Sequence, residues 1–495
     1  MNLNKTPKLS RQLGLVALTA TGVCSMLGAS INVVPFMIQK NVPGIGPYVL
    51  YAFAFAAIPA IFAALAYSIL ASAMPRAGGS YIYASRGLHP YLGFVASFSQ
   101  WFGLSIVIGV IAYVTIPFIR DIFFELGWIQ LSQTLEQGWM RISLALLLIW
   151  SFVGVNIRGS KSYAITLLPM MFLMFLLGGI VIVSGFYFST SDFVTALEAR
   201  ENRSFIPIDT AVFDWRIFLS AAALLFSSFI GFDSIAQAGG EAKNPTKTLP
   251  KAILLSIASV GLFYFLFASA VYHTVPWSFV AEEAFKKDIS APGLLSYVLP
   301  SGLGIAILLG ATIALINDLP AMLLSVSRLM FAWAKDGIFP NFITTIHKKY
   351  HTPNIALILA GGMASAGVFG SHFAGDFFLG IDIMVTSMMV NFLLMCITLI
   401  TLPRVNRELA DTIKIFKNRM LQLAIGWMGS LSLLLFLAVH TYKDFTSKVK
   451  EWYFHSTPIW LIVMGMASLL FFIKWKQMKR KGINPVRIFK VLPEE

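Results

Sequence analysis

Two interruptions in otherwise apolar runs put polar chemistry where a lipid-facing helix would carry leucine. One is the stretch Gly22 to Asn32 (GVCSMLGASIN), small and polar in mid-span; the other is Phe226 to Gly231 (FSSFIG), followed at once by Asp233. A carboxylate at membrane depth costs roughly 2.5–3.5 kcal/mol on insertion scales, so it rarely faces lipid. Backbone that leaves the helix at that depth is tolerated only against protein or a water-filled cavity. Unwound backbone frees amide N–H groups that suit a carboxylate, and freed carbonyls on the other half suit an ammonium group or a cation. A zwitterion such as an amino acid matches that pair of ends. Small residues in membrane helices also permit close helix packing. The joint occurrence of two breaks, one beside an acid, favours a ligand site over packing alone.

The remaining ionisable groups inside apolar runs are Asp318, Asp382 and His372. A buried carboxylate can load and release a proton near neutral pH. Asp318 lies about halfway along its span in Leu315-Ile316-Asn317-Asp318-Leu319-Pro320, beside a helix-disturbing proline. It reads as a proton carrier or a ligand to a basic solute group, against the alternative of a buried acid bonded to Asn317 or a neighbouring helix. Asp233 reads as capping or orienting the half-helix after the second break, ahead of direct proton transfer. Asp382 and His372 are expected near the outer interface, and Arg328 with Asp336 at the cytoplasmic end of the eighth span. No set of hydroxyls forms a nucleophile–base–acid arrangement, and no Gly-x-x-x-x-Gly-Lys phosphate loop exists. The chain is therefore read as neither an enzyme nor an ATP-driven motor, and no cofactor is implied.

The elements that position these groups follow from composition. Of 495 residues 57% are hydrophobic and only 12% charged, with a mean hydropathy of +0.76. Soluble domains carry about 25% charged residues, so this is an integral membrane protein. The 42 phenylalanines, 11 tryptophans and 20 methionines fit an all-α bundle, and the alternating ten-residue segments of a barrel are absent. The net charge of +14 sits in short loops between apolar runs, which points to anionic lipid and the positive-inside rule and not to nucleic acid. Cys24 and Cys396 both fall inside apolar runs, so neither a disulfide framework nor metal-ligand spacing is present.

Apolar runs long enough to cross a bilayer are expected at about 12–39, 46–73, 91–119, 141–157, 162–188, 216–237, 250–273, 302–333, 354–372, 377–402, 420–441 and 457–475. Twelve spans put both termini on one side, and most of the 37 lysines and arginines fall there, which makes that side cytoplasmic. Segments 189–215 and 274–301 on the other side are expected to hold short surface helices. The breaks fall in the first and sixth spans, five apart. That is the spacing an inverted repeat of helices 1–5 by helices 6–10 requires.

Three stretches resemble one family, the amino acid–polyamine–organocation permeases. Met74 to Tyr83 (MPRAGGSYIY) with Gly93-Phe94 resembles their loop after helix 2. Gly231-Phe232-Asp233 with Gly240 to Pro245 (GEAKNP) and Leu249-Pro250 resembles their sixth helix and the loop that follows. Ser327-Arg328 with Lys335 to Pro340 (KDGIFP) and Thr352-Pro353 resembles the end of their eighth helix. The resemblance implies a leucine-transporter-like fold with a 5+5 inverted repeat, helices 1 and 6 discontinuous and 12 transmembrane helices. The division is a tail (1–11), a ten-helix core (12–402, repeats about 12–188 and 216–402), two peripheral helices (403–475) and a basic tail (476–495). It implies alternating-access transport of amino acids at a plasma (inner) membrane, by proton symport or exchange, with both termini cytoplasmic. The substrate carboxylate would meet Ser25, Met26, Gly28, Ala29 and Ser30, and the amino group Ser227, Ser228, Phe229, Ile230 and Gly231. Helix 3 would add Gly103 and Ser105, and Phe226 stands beside the position of the family's gate aromatic, which is Ser227 here. Ser30 replaces a second family glycine, the glutamate that commonly follows the tyrosine at Tyr67 is absent, and Met174 occupies the place of a helix-5 lysine found in some proton-coupled members. Two further readings stay open: an amine or polyamine carrier, and a receptor that keeps the fold and binds amino acid without transport.

Overall fold

The computed structural model describes residues 8–494 other than 209, 375, 376, 448 and 450, without the side chains of Ala29, Ser301, Ala374, Phe377, Phe378 and Val486. It is helical throughout, with only isolated bridges joining Leu13 to Ala242 and Ala77 to Ala238. Eleven helices among the described residues are long and apolar enough to cross a membrane, and a shorter apolar helix, α1 (Leu15–Cys24), precedes them. The long helices are α2 (Val49–Ala73), α3 (Pro90–Glu125), α4 (Gly138–Ile157), α5 (Ser160–Tyr187), α6 (Trp215–Leu225, continuing through a distorted stretch to Gln237), α7 (Pro245–Thr274), α8 (Ser301–Lys335), α9 (Asn354–Ala374), α10 (Phe377–Val405), α11 (Arg419–Thr446) and α12 (Ser456–Arg480). Several run past the expected limits; α3 ends at Glu125 and α12 at Arg480. Thr190–Glu201, Trp277–Lys286 and Ala291–Leu295 form short helices in the two long connections.

Helix ends follow local chemistry. Pro90 opens α3 and Pro245 opens α7, where a missing N–H costs nothing. Asp214 caps α6 by accepting from the amides of Arg216 (2.6 Å) and Ile217, and Asn418 caps α11 through Met420 (2.9 Å). Asp444, near the end of α11, accepts from the amides of Ser456 (3.0 Å) and Thr457 (2.7 Å) and so holds the start of α12.

Burial sorts the helices into two shells. In the most apolar stretches of α6 and α8, 83% of residues are buried, against 17% in α5. α3 packs on α8, α9 and α10, while α4, α5, α11 and α12 present apolar side chains outward, as helices facing lipid do. At 36 residues and about 1.5 Å per residue, α3 is far longer than a bilayer core of roughly 30 Å, so it projects beyond it or tilts strongly within it.

Candidate functional site

Both interruptions are breaks in the backbone. After Cys24 the helix ends; the Leu27 amide bonds back to Val23 O at 3.0 Å, and regular helix resumes only at Ala29–Asn32 and Val34–Asn41. α6 tightens into a 3-10 turn over Phe226–Phe229, Ile230 is extended, Gly231 has φ 140°, and a short helix follows at Ser234–Gln237. Only glycine adopts that φ readily. The breaks touch: a side chain at Gly231 would collide with the Ser25 carbonyl, and Ser25 Oγ and Ser234 Oγ share a hydrogen bond of 3.0 Å.

Between them lies a small central cavity of about 20 Å³, lined by Ser25, Ser30, Ser227, Ile230 and Asp318 together with apolar side chains of α3, α8 and α10. About 10–15 Å³ is the least that holds one water, so this form admits little more than that. The Ser227 hydroxyl, buried in this lining, makes no hydrogen bond among the described residues. Asp318 reaches the cavity from the middle of α8, and its carboxylate lies directly against the backbone of Gly28, where a methyl group would overlap it. Its neighbour Asn317 turns instead to α1, donating to Cys24 Sγ at 2.8 Å. The Tyr264 hydroxyl donates to Met26 O at 2.5 Å and ties the first break to α7.

Several expected site residues lie elsewhere. The Phe226 ring packs against Phe392 and Phe436, so it does not stand in for a gate aromatic at Ser227. Phe229 turns to Phe53 and Tyr264. Gly103 makes a close contact between α3 and Ser387 of α10, a packing role, and Ser105 and Ser228 are buried outside the cavity lining. The side chain of Ala29 lies outside the described residues. Met174 lines an apolar space of about 10 Å³ with Leu27, Ala311 and Ala314. Asn32 is the one polar side chain in that lining, which holds no acid to pair with a lysine.

Asp233 sits beyond the second break on the side of the N-terminal segment, fully buried. It accepts from Gly231 N (3.1 Å) and from Gln100 Nε2 of α3. Gln100 Oε1 in turn accepts from Gln237 (3.2 Å), Gln237 donates to Ser80 (2.6 Å), and Ser80, Tyr67 and Asn391 complete the chain. The acid thus fastens the half-helix after the break to α2, α3 and α10.

Two buried ion pairs seal that face. Arg328 pairs with Glu241 and not with Asp336; its Nε donates at 2.8 Å, Ser160 Oγ donates to the second carboxylate oxygen at 2.6 Å, and Leu13 N donates to Glu241 O at 3.0 Å. Asp336 instead takes a bidentate pair from Arg86 (2.5 and 2.8 Å). All four charged groups are buried. Of the partners, Glu241 stands in a recognised motif, which was the available signal for it; Arg86 lies three residues past the Met74–Tyr83 stretch and carried none. Trp333, donating to Ser97 Oγ at 2.8 Å among Phe94, Phe98 and Trp101, adds an aromatic plug. The C-terminal segment, which sequence reasoning left as a basic tail, docks here too. Phe489 is buried beneath Arg86 (5.0 Å to the ring centre), and Arg76 donates to Pro493 O at 3.0 Å.

Toward the opposite face the space is far larger. A vestibule of about 610 Å³ is bounded by Lys40, Tyr113, Arg120, Arg141, Asp288 and His372 among others. Val110 lines both this vestibule and the central cavity. The Tyr113 hydroxyl bonds His372 Nδ1 at 2.9 Å, which places His372 at the rim.

A multi-spanning membrane protein with a small buried cavity, sealed on one face and approached by a vestibule on the other, is a secondary transporter of small polar or charged solutes. Among the described residues no group of His, Cys, Asp and Glu could hold a metal ion. Residues 13–474 match the family model described as amino acid permease, and the chain belongs to that family. It is similar to the low-affinity putrescine importer PlaP of Escherichia coli, 28% identical over 380 residues, 74% of this chain and 77% of that one. The branched-chain amino acid permease BcaP of Bacillus subtilis is 26% identical over 373 residues, 72% and 74% of the two chains. Mouse cationic amino acid transporter 4 is 25% identical over 370 residues, 71% of this chain and 54% of that protein.

Proposed function

We propose that the chain is a secondary active transporter of amino acids and closely related amines, working by alternating access as a proton symporter or an exchanger. In this reading the fold is a 5+5 inverted repeat in 12 spans, the segment before α1 is cytoplasmic, and the vestibule faces outward at the plasma membrane. The observation that carries it is the meeting of the two breaks at Ser25 and Gly231 over a buried polar cavity. The names of the relatives support the solute class, since an importer of putrescine, a branched-chain amino acid permease and a cationic amino acid transporter share an amino group as the common feature of their solutes. Closing the vestibule and parting the Glu241–Arg328 and Arg86–Asp336 pairs would carry the cavity from one face to the other.

The test is reconstitution in liposomes with labelled amino acids and amines, with an inward proton gradient, without one, and with unlabelled solute preloaded. Accumulation driven by the gradient means symport, and uptake that requires preloading means exchange. Binding without flux in any format contradicts the transporter reading and favours a receptor.

A further inference from the structure

We propose that Asp318 is a specificity-determining residue: its carboxylate stands at the α1 break where a solute carboxylate would sit, so the cavity takes small amines that carry ammonium and no carboxylate. This rests on the transporter reading above and narrows its solute class.

Three observations converge. Asp318 is 3% exposed, and its carboxylate fills the notch that Gly28 leaves in the first break. Among the described residues lining the central cavity it is the single ionisable one, the others being serines or apolar. On the facing break, Ser227 is 2% exposed, and its hydroxyl lines the same cavity with no hydrogen-bond partner among the described residues. A carboxylate on one wall and an unused hydroxyl on the other are acceptors for the three N–H donors of an ammonium group. Val107, Val110, Ile111, Met322 and Met384 complete the wall and suit a short methylene chain. An amino acid would bring a second carboxylate against Asp318, and two like charges at one site cannot both remain ionised. The resident acid thus selects against the zwitterion as well as for the cation.

The experiment uses two matched pairs that differ only by the carboxylate: leucine against 3-methylbutylamine, and ornithine against 1,4-diaminobutane. Binding and liposome uptake are measured for all four on the wild-type full chain. The expected result is that the amine of each pair binds at least tenfold more tightly than its amino acid. Asp318→Asn, with an unchanged melting profile, should lower amine affinity at least tenfold, while Asp318→Glu keeps part of it. Equal or tighter binding of the amino acids overturns the proposal and leaves the transporter reading standing. Unchanged amine affinity in a folded Asp318→Asn variant overturns it too, and altered proton dependence with that affinity intact would mark Asp318 as a coupling residue. Neither binding nor uptake of any of the four overturns both readings. The wild-type comparison decides the matter if Asp318→Asn does not fold.

Discussion

Gly231 rests on the carbonyl of Ser25, so the backbones of the two broken helices meet with no side chain between them. Gly231→Ala would add a methyl group at this contact and force alanine to φ 140°. Overpacking and a left-handed backbone each cost about 1–3 kcal/mol. A lowered melting temperature and at least tenfold slower uptake are expected. A variant that melts and transports like the wild type would mean that the contact does not constrain the site.

Glu241 and Arg328 are both 1% exposed. Removing one partner of a buried pair leaves the other charge uncompensated and costs about 3–5 kcal/mol, whereas replacing both with apolar residues is often neutral. Glu241→Gln should therefore lower the melting temperature more than the double variant Glu241→Leu/Arg328→Met. Thermal melting in detergent measures both. Equal losses would mean that the pair is not a buried ionic unit.

Phe489 and Arg86 fasten the C-terminal segment to the sealed face. Truncating a buried phenylalanine costs on the order of 3 kcal/mol. Phe489→Ala should thus release the segment, read as faster tryptic cleavage after Arg487 with the rest of the chain unchanged. Cleavage at the wild-type rate would show that Phe489 does not hold it.

On the vestibule side, Glu283 takes hydrogen bonds from Arg203 (2.7 Å) and Lys286 (3.2 Å). Desolvation pushes its carboxyl up, but these bonds and the charges of Lys286 and Lys287 outweigh it and hold the group below its ordinary value. A depressed acid contributes stability that is present above its unfolded value and lost as pH falls through the folded one. Wild-type melting temperature should fall more than that of Glu283→Gln on acidification below about pH 5. Parallel curves would assign the pairs no stabilising role.

What was legible in the sequence was whatever local pattern determines. Apolar runs of membrane length gave the helices, and serine and glycine at Ser25, Gly28, Ser227 and Gly231 marked the breaks where the backbone departs from helix. What depends on side-chain direction across the bundle was not legible. Phe226 and Phe229 adjoin the break, yet their rings turn into aromatic clusters because helix rotation, which composition does not encode, points them there. Arg328 lies in the last turns of α8 and Asp336 directly follows its end, yet each finds its counter-charge on a distant segment, since a buried charge is stabilised by the best-placed partner and not the nearest in sequence. The approach of Asp318 to Gly28 is equally non-local. It needed the packing of α8 against α1 to appear.

The central claim is that solute passes through the cavity between the two breaks. It is tested most directly by Ser227→Cys in proteoliposomes, treated with a small thiol reagent with and without transported solute. Cys24 and Cys396 are buried and line neither the central cavity nor the vestibule, so the wild type serves as the unreactive control. The account predicts that modification abolishes solute uptake in the variant, spares the wild type, and is slowed by solute. Uptake that persists through a fully modified Cys at this position would place the pathway elsewhere and contradict the account.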